Sequence, residues 1–181
     1  MRTEERWKST IQPKIIKQFT PRIQRDLSTV PIPKNLKISD QSIFMWGKTY
    51  TGKTLHSIFL LLHTLKKAYL KSIQLTFVFI SMDALLTKIK ESYSKGDLSE
   101  DNFLKYYLLA DVLIIDDLAV EKPSEWVYSV VYTLINTRIE FLRKTIITSN
   151  LNLQELKEFF GDDRITSRLD REYLIMKKKK F

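Results

Sequence analysis

From residue 42 onward, short apolar runs alternate with longer stretches in which apolar positions recur every three to four residues. The runs Ser42–Trp46, Leu75–Ile80, Val112–Ile115, Thr145–Thr148 and Tyr173–Met176 are short enough and apolar enough to be buried strands. Between them, Leu55, Ile58, Phe59, Leu62, Leu65 and Tyr69 predict a helix running to about Lys71. Leu85, Leu86, Ile89 and Tyr93 predict a second that stops before Gly96, and Phe103, Leu104, Tyr107 and Leu108 a third. Pro123 suits the first turn of a long helix carrying Trp126, Val127, Val130, Val131, Leu134 and Ile139. Asn152 and Glu155 have capping-box spacing ahead of a helix that ends near Gly161. Strands alternating with helices in this way predict an α/β fold, a parallel sheet with helices on both faces.

Residues 1–40 break the pattern. Pro13, Pro21, Pro31 and Pro33 fall here, so helices in this segment should be short and interrupted. Trp7, Ile11, Ile15, Ile16 and Phe19 can still form one small apolar face, which predicts a partly helical arm that docks on the core or recruits a partner.

Charge adds to that division. The net charge is +9, and its excess sits at the ends: residues 1–40 carry nine Lys/Arg against four Asp/Glu, and residues 164–181 seven against two. A near-neutral middle with basic extremities suits contact with nucleic acid or another polyanion, although Lys177–Lys180 can equally be a solvated tail. Cysteine is absent, which removes disulfides and thiolate metal sites and fits a reducing cytoplasm. No stretch is long and apolar enough to span a membrane, and MRTEERWKST does not read as a signal peptide.

The most specific chemistry follows the first strand. Gly47-Lys48-Thr49-Tyr50-Thr51-Gly52-Lys53-Thr54 fits G-x-x-x-x-G-K-[ST], with Leu55 continuing into the helix, and two of the chain's four glycines lie inside it. Glycines let backbone N–H groups close around phosphates, and the helix that follows presents its positive end. Lys53 is then expected to reach the β- and γ-phosphates of ATP, and the Thr54 hydroxyl to hold Mg²⁺.

The third strand ends in two adjacent carboxylates, Asp116 and Asp117. In a parallel sheet such an end lies in the ligand crevice. Asp116 is the expected Mg²⁺-side carboxylate, and Asp117 the group that orients and deprotonates an attacking water. On its own the run could be a strand entering a turn, but the phosphate loop favours the functional reading.

Taken in order, G-K-T-Y-T-G-K-T, L-I-I-D-D-L, Trp126, Asn136-Thr137-Arg138, T-I-I-T-S-N-L and D-R-I-T-S-R-L resemble the AAA+ core of the DnaC/DnaI-type helicase loaders. The related IstB transposition ATPases share much of the pattern. The resemblance covers about residues 40–172 and implies a five-stranded sheet of order 5-1-4-3-2 without a C-terminal lid domain. With the proline placement and the basic end, the chain is read as an arm at 1–40, an ATPase core at 41–176 and a basic tail at 177–181. The resemblance also implies an ATPase that works as a homo-oligomer on single-stranded DNA beside a replicative helicase, or beside a transposase if the IstB likeness is the better guide, and the absence of cysteine fits a cytoplasmic place for it. Asn150 matches the sensor-1 position, and Arg168 the arginine finger supplied in trans, with Arg164 the close alternative. Trp126 is expected to pack rather than act.

Two departures bear on the activity. Tyr50 stands where the family usually has glycine, and Asp117 is shorter than the glutamate of most AAA+ proteins. Both leave room for slow hydrolysis, or for a nucleotide-gated adaptor with little turnover. A nucleotide kinase is the weaker rival, since no acceptor-binding constellation stands out. His56 and His63 lie seven apart on one helix with no third ligand in sight, so metal binding there is not expected. Tyr93, Tyr106 and Tyr107 fit core positions better than base-stacking ones.

Overall fold

The computed structural model describes residues 2–30, 39–94, 100–118 and 124–178. Two compact units partition the chain: Ser39–Lys53 with Thr76–Phe181, and Met1–Ile38 with Thr54–Leu75.

The larger unit holds the sheet. Strands β1 (Ser42–Trp46), β2 (Phe77–Ser81), β3 (Val112–Leu118), β4 (Lys144–Ser149) and β5 (Tyr173–Lys177) are all parallel and lie in the order β2-β3-β4-β1-β5. This is the expected 5-1-4-3-2 arrangement. Both faces of the sheet are buried, Phe44, Leu113, Ile115 and Ile147 on one and Ile43, Met45, Ile114 and Ile146 on the other. That is why the strands read as unbroken apolar runs. Helices α5 (Met82–Ser94), α6 (Glu100–Leu109), α7 (Glu125–Glu140), α8 (Leu153–Phe160) and α9 (Arg164–Glu172) complete the unit. Leu85, Leu86 and Ile89 of α5, Val131 and Leu134 of α7, Leu156 of α8 and Leu169 of α9 close over the Phe44 face.

Local chemistry explains the ends of these helices. Asn152 caps α8 by accepting from the Glu155 N–H at 2.9 Å while the Glu155 carboxylate accepts from the Asn152 N–H at 2.7 Å. Gly161 then ends the helix at φ 68°. Ser124 caps α7, accepting from the Val127 N–H at 3.2 Å, and Pro123 lies outside the described residues. Trp126 packs against the core as expected, with the Lys90 ammonium 5.2 Å above its ring.

One interior group went unnoticed except as part of the family pattern. Arg138 is fully buried near the C-terminal end of α7. Its guanidinium donates to the carbonyls of Tyr107, Leu108 and Ala110 at 2.7, 2.9 and 2.9 Å, to the Lys144 carbonyl at 2.7 Å and to the Thr145 hydroxyl at 2.8 Å. A single side chain thus satisfies the last carbonyls of α6 and joins them to the start of β4. Burial pushes its pKa down to about 10, with Tyr173 opposing that shift, so it stays charged at neutral pH.

The smaller unit contains α1 (Glu4–Arg6), a π-helical turn (Trp7–Ile11), α2 (Gln12–Ile16), α3 (Pro21–Thr29) and most of α4 (Lys53–Leu70). The π turn sits just before Pro13, which has no N–H to complete the ordinary α-helical ladder. Trp7, Ile15 and Phe19 are buried, and Ile11 and Ile16 half-buried, so most of the expected apolar face exists. Trp7 meets Tyr69 with ring centroids 5.6 Å apart, Arg2 lies over the same ring at 5.2 Å, and Glu4 pairs with Lys66 at 3.0 Å. Here the arm docks on α4. Pro31 and Pro33 lie outside the described residues, as do Lys179 and Lys180. Among the described residues no helix is long and apolar enough to cross a membrane.

Candidate nucleotide site

β1 delivers the chain to the loop at Trp46. Gly47 follows, and its N–H donates to the Ser149 carbonyl at 3.2 Å. A Cβ on Gly47 would lie 2.4 Å from the Lys178 carbonyl oxygen, so the residue must be glycine for the chain just beyond β5 to pass so close. The Lys178 N–H in turn donates to the Trp46 carbonyl at 2.7 Å, and the Lys177 ammonium rests 4.7 Å above the Trp46 ring. Further along, Tyr50 and Gly52 take left-handed conformations with φ 62° and 74°. Glycine adopts this at no steric cost, whereas Tyr50 does so under strain while 83% exposed. The Thr51 hydroxyl closes the turn, donating to the Lys48 carbonyl at 2.8 Å.

Lys53, the first residue of α4, turns back into the loop. Its Nζ donates to the carbonyls of Gly47 and Lys48 at 2.8 and 3.1 Å and to Asn150 Oδ1 at 2.9 Å. The side chain is buried, and that burial pushes the ammonium below its ordinary pKa; Asp117 and then Asp116 pull it back up. Both carboxylates therefore act on the same ammonium. Thr54 and Leu55 belong to the smaller unit, where the Thr54 carbonyl accepts from the Ser57 hydroxyl at 2.7 Å.

The two aspartates do not close β3, as the sequence pattern suggested; the strand runs on through them to Leu118. Ile115 pairs with Ile147 and Leu118 with Ser149, so Asp116 and Asp117 together oppose the single residue Thr148. This is a β-bulge, and Asp117 sits in it at φ 55°. Asp116 is buried and accepts from the Thr148 hydroxyl at 2.6 Å, while the same hydroxyl accepts from the Asp117 N–H at 2.9 Å. Thr148 escaped the sequence reading because it looks like one more strand residue. Only the strand order puts it opposite the aspartates.

Lys53 and Asn150 are thus joined by a hydrogen bond, and the charges of Asp116 and Asp117 act on the same ammonium. The arginines do not join them. Arg168 donates to Asn136 Oδ1 at 2.6 Å and to the Tyr132 hydroxyl at 2.8 Å, and its guanidinium lies 4.7 Å from the Tyr132 ring. Arg164 donates to Asp162 at 2.9 Å and lies 5.3 Å from the Tyr128 ring. Both lie along the α7 and α9 surface of their own chain. Among the described residues no three His, Asp or Glu side chains gather to bind a metal, His56 and His63 included. Tyr107 is core, Tyr106 is exposed, and the Tyr93 side chain lies outside the described residues.

Two carboxylates and a lysine cradle fit Mg²⁺ carried by a nucleotide. That ion prefers to keep waters and phosphate oxygens over an all-protein cage. A 5-1-4-3-2 parallel sheet with this loop after β1 and these aspartates in β3 defines a P-loop nucleotide-binding fold. The family model described as "IstB-like ATP binding protein" matches residues 17–176, and the chain belongs to that family.

Escherichia coli (strain K12) DnaC, a replicative helicase loader, is 23% identical over 92 residues, which are 51% of this chain and 37% of DnaC. The alignment therefore spans little more than a third of that relative. A crystal structure of the DnaC helicase loader superposes with a TM-score of 0.63 at 20% identity, covering 98% of this chain and 100% of that one. A structure of the replication initiator DnaA bound to AMPPCP and single-stranded DNA gives 0.62 at 20% identity, covering 94% of this chain and 46% of DnaA. The expected DnaC-type AAA+ fold is the one found.

Proposed function

We propose that this chain is a cytoplasmic AAA+ ATPase that binds ATP with Mg²⁺ and works as a DnaC-type helicase loader on single-stranded DNA. The carrying observation is the three-way anchoring of Lys53 Nζ by Gly47, Lys48 and Asn150, beside the charges of Asp116 and Asp117. Residues Gly47–Leu55 hold the phosphates, with Lys53 exchanging protein oxygens for phosphate oxygens. Thr54 and Asp116 would hold the Mg²⁺ side of the site. Mg²⁺, when bound, neutralises charge on the β- and γ-phosphate oxygens. Asp117 orients and deprotonates the lytic water, and Asn150 contacts that water or the γ-phosphate. Arg168 acts as the finger toward a neighbouring copy, which requires it to leave Asn136 and Tyr132. The basic ends of the chain favour a polyanionic partner.

The IstB-like family match favours a second reading, target selection in DNA transposition beside a transposase. The strained Tyr50 favours a third, an adaptor that binds nucleotide and turns it over weakly. A pull-down with the resident replicative helicase, with and without ATP, tests the first. ATP-dependent capture, with salt-sensitive affinity for single strands over duplex, is the expected result. Duplex preference with capture of a transposase instead would exclude the loader reading. Phosphate release no greater than that of Asp117→Ala would leave the adaptor.

A further inference from the structure

Side chains of neighbouring strand residues normally point to opposite faces of a sheet. A regular β3 would therefore send the carboxylates of Asp116 and Asp117 apart. The bulge interrupts that alternation: Asp116 and Asp117 together oppose Thr148, the second aspartate takes a left-handed backbone, and the charges of both are felt at Lys53. Asp tolerates that conformation better than most residues, but it still needs holding. The Thr148 hydroxyl is the group positioned to hold it. Its one proton goes to Asp116 Oδ1 at 2.6 Å, and its oxygen takes the Asp117 N–H at 2.9 Å. Thr148 is itself wholly buried and fixed in register by Met45 on β1. It touches neither Lys53 nor the loop in any contact described above.

We propose that Thr148 is a positioning residue, a hydroxyl clamp that locks the bulge and thereby aims Asp116 at the metal side of the site and Asp117 at the lytic water. The inference rests on the reading of the two aspartates given above. The clamp sets the direction of the carboxylates without contributing to phosphate binding, which belongs to the loop.

Thr148→Val, nearly isosteric but unable to make either bond, tests this beside Thr148→Ser, which keeps both. Expected for Val is a fall in kcat of roughly 10- to 100-fold, the scale of a catalytic group displaced by about an ångström. The gain in ATP affinity on adding Mg²⁺ should fall as well. ATP affinity in EDTA should stay within about twofold, and Ser should restore both lost quantities. If the wild-type chain binds ATP without turnover, the Mg²⁺-dependent gain alone is read in the same way. Should Val not fold, Thr148→Cys, whose thiol donates weakly, takes its place.

A Val variant with unchanged turnover and Mg²⁺ dependence overturns the clamp while leaving the nucleotide site intact. So does one in which EDTA affinity falls in step, because that marks general structural damage, and so does a Ser variant as poor as Val. Wild-type protein that binds no ATP would overturn the site reading, and this inference with it.

Discussion

The Lys53 ammonium donates to Asn150 Oδ1 at 2.9 Å, joining the start of α4 to the residue just beyond β4. With the Gly47 and Lys48 carbonyls this accounts for all three Nζ protons, so a phosphate that engages Lys53 must take over at least one bond. Asn150 is exposed and its side chain can rotate, whereas the two carbonyls are part of the loop. The Asn150 bond is therefore the one that exchanges. Lys53→Ala should lower ATP affinity by roughly 10- to 100-fold, the worth of a charge-assisted contact. Asn150→Ala should leave affinity within about threefold and lower kcat about tenfold or more. Titration with a fluorescent ATP analogue and steady-state phosphate release separate the two effects; equal affinity losses in both variants would contradict this division of labour.

Tyr50 carries a cost that serves no packing. Its φ of 62° is strained for a side chain bearing a Cβ, and the ring is 83% exposed, so removing it gives up almost no buried surface. Relief of the left-handed strain, about 1–2 kcal/mol, outweighs the extra unfolded-state freedom of glycine, about 0.5–1 kcal/mol. Tyr50→Gly should therefore raise stability by about 0.5–1 kcal/mol, visible as a Tm higher by a few degrees. A lower Tm in a thermal scan would mean that the ring makes a contact worth more than the strain.

How far the sequence carried depends on the range of the interaction. The Asn152–Glu155 capping box and the Gly47–Thr54 loop are encoded within a few consecutive residues, and both appear where the pattern put them. Strand positions were equally legible, because burial on both faces leaves a continuous apolar run. The bulge was not: V-L-I-I-D-D reads as a strand ending in carboxylates, and nothing local distinguishes it from one that continues irregularly. Arg138 and Thr148 were invisible as individuals for the same reason. The aspartates that Thr148 meets and the α6-end carbonyls that Arg138 meets lie about thirty residues away and become neighbours only when β3, β4 and α6 assemble. Arg168 shows the limit of resemblance, which names a role; its bonds to Asn136 and Tyr132 had to be seen.

Arg138 is the interior group whose loss should be felt most. Arg138→Met keeps much of the volume but strips five hydrogen bonds, leaving the buried carbonyls of Tyr107 and Ala110 and the part-buried ones of Leu108 and Lys144 without that donor. At about 1–3 kcal/mol for each buried acceptor left unpaired, the Met variant should lose about 3–5 kcal/mol. Arg138→Lys should recover only part, since one ammonium has three donors and cannot reach α6 and β4 together. Urea unfolding of the three proteins gives the ranking directly. A Met variant within about 1 kcal/mol of wild type would show that water replaces the guanidinium, and with it that the group is not the link between α6 and β4.

Tyr173 supplies a pH dependence with a definite sign. It opens β5 opposite Ser42 and is buried, and desolvation pushes its hydroxyl up to about 12 from an ordinary value of 10.0, while Thr145, Arg138 and Ser42 pull the other way. Below pH 10 the tyrosine is neutral in folded and unfolded chains alike, and its contribution is fully present. Between pH 10 and 12 the unfolded chain releases the proton and the folded chain keeps it, so stability falls with rising pH. A two-unit difference corresponds to about 2–3 kcal/mol. Urea midpoints measured at pH 9 and pH 11.5 should thus separate for the wild type by more than for Tyr173→Phe, which cannot ionise. Comparing the two proteins cancels the lysines and the other tyrosines, which titrate in the same range in both. If the two midpoints move together, the Tyr173 hydroxyl is reached by solvent, and the first residue of β5 is less firmly buried than its 6% exposure indicates.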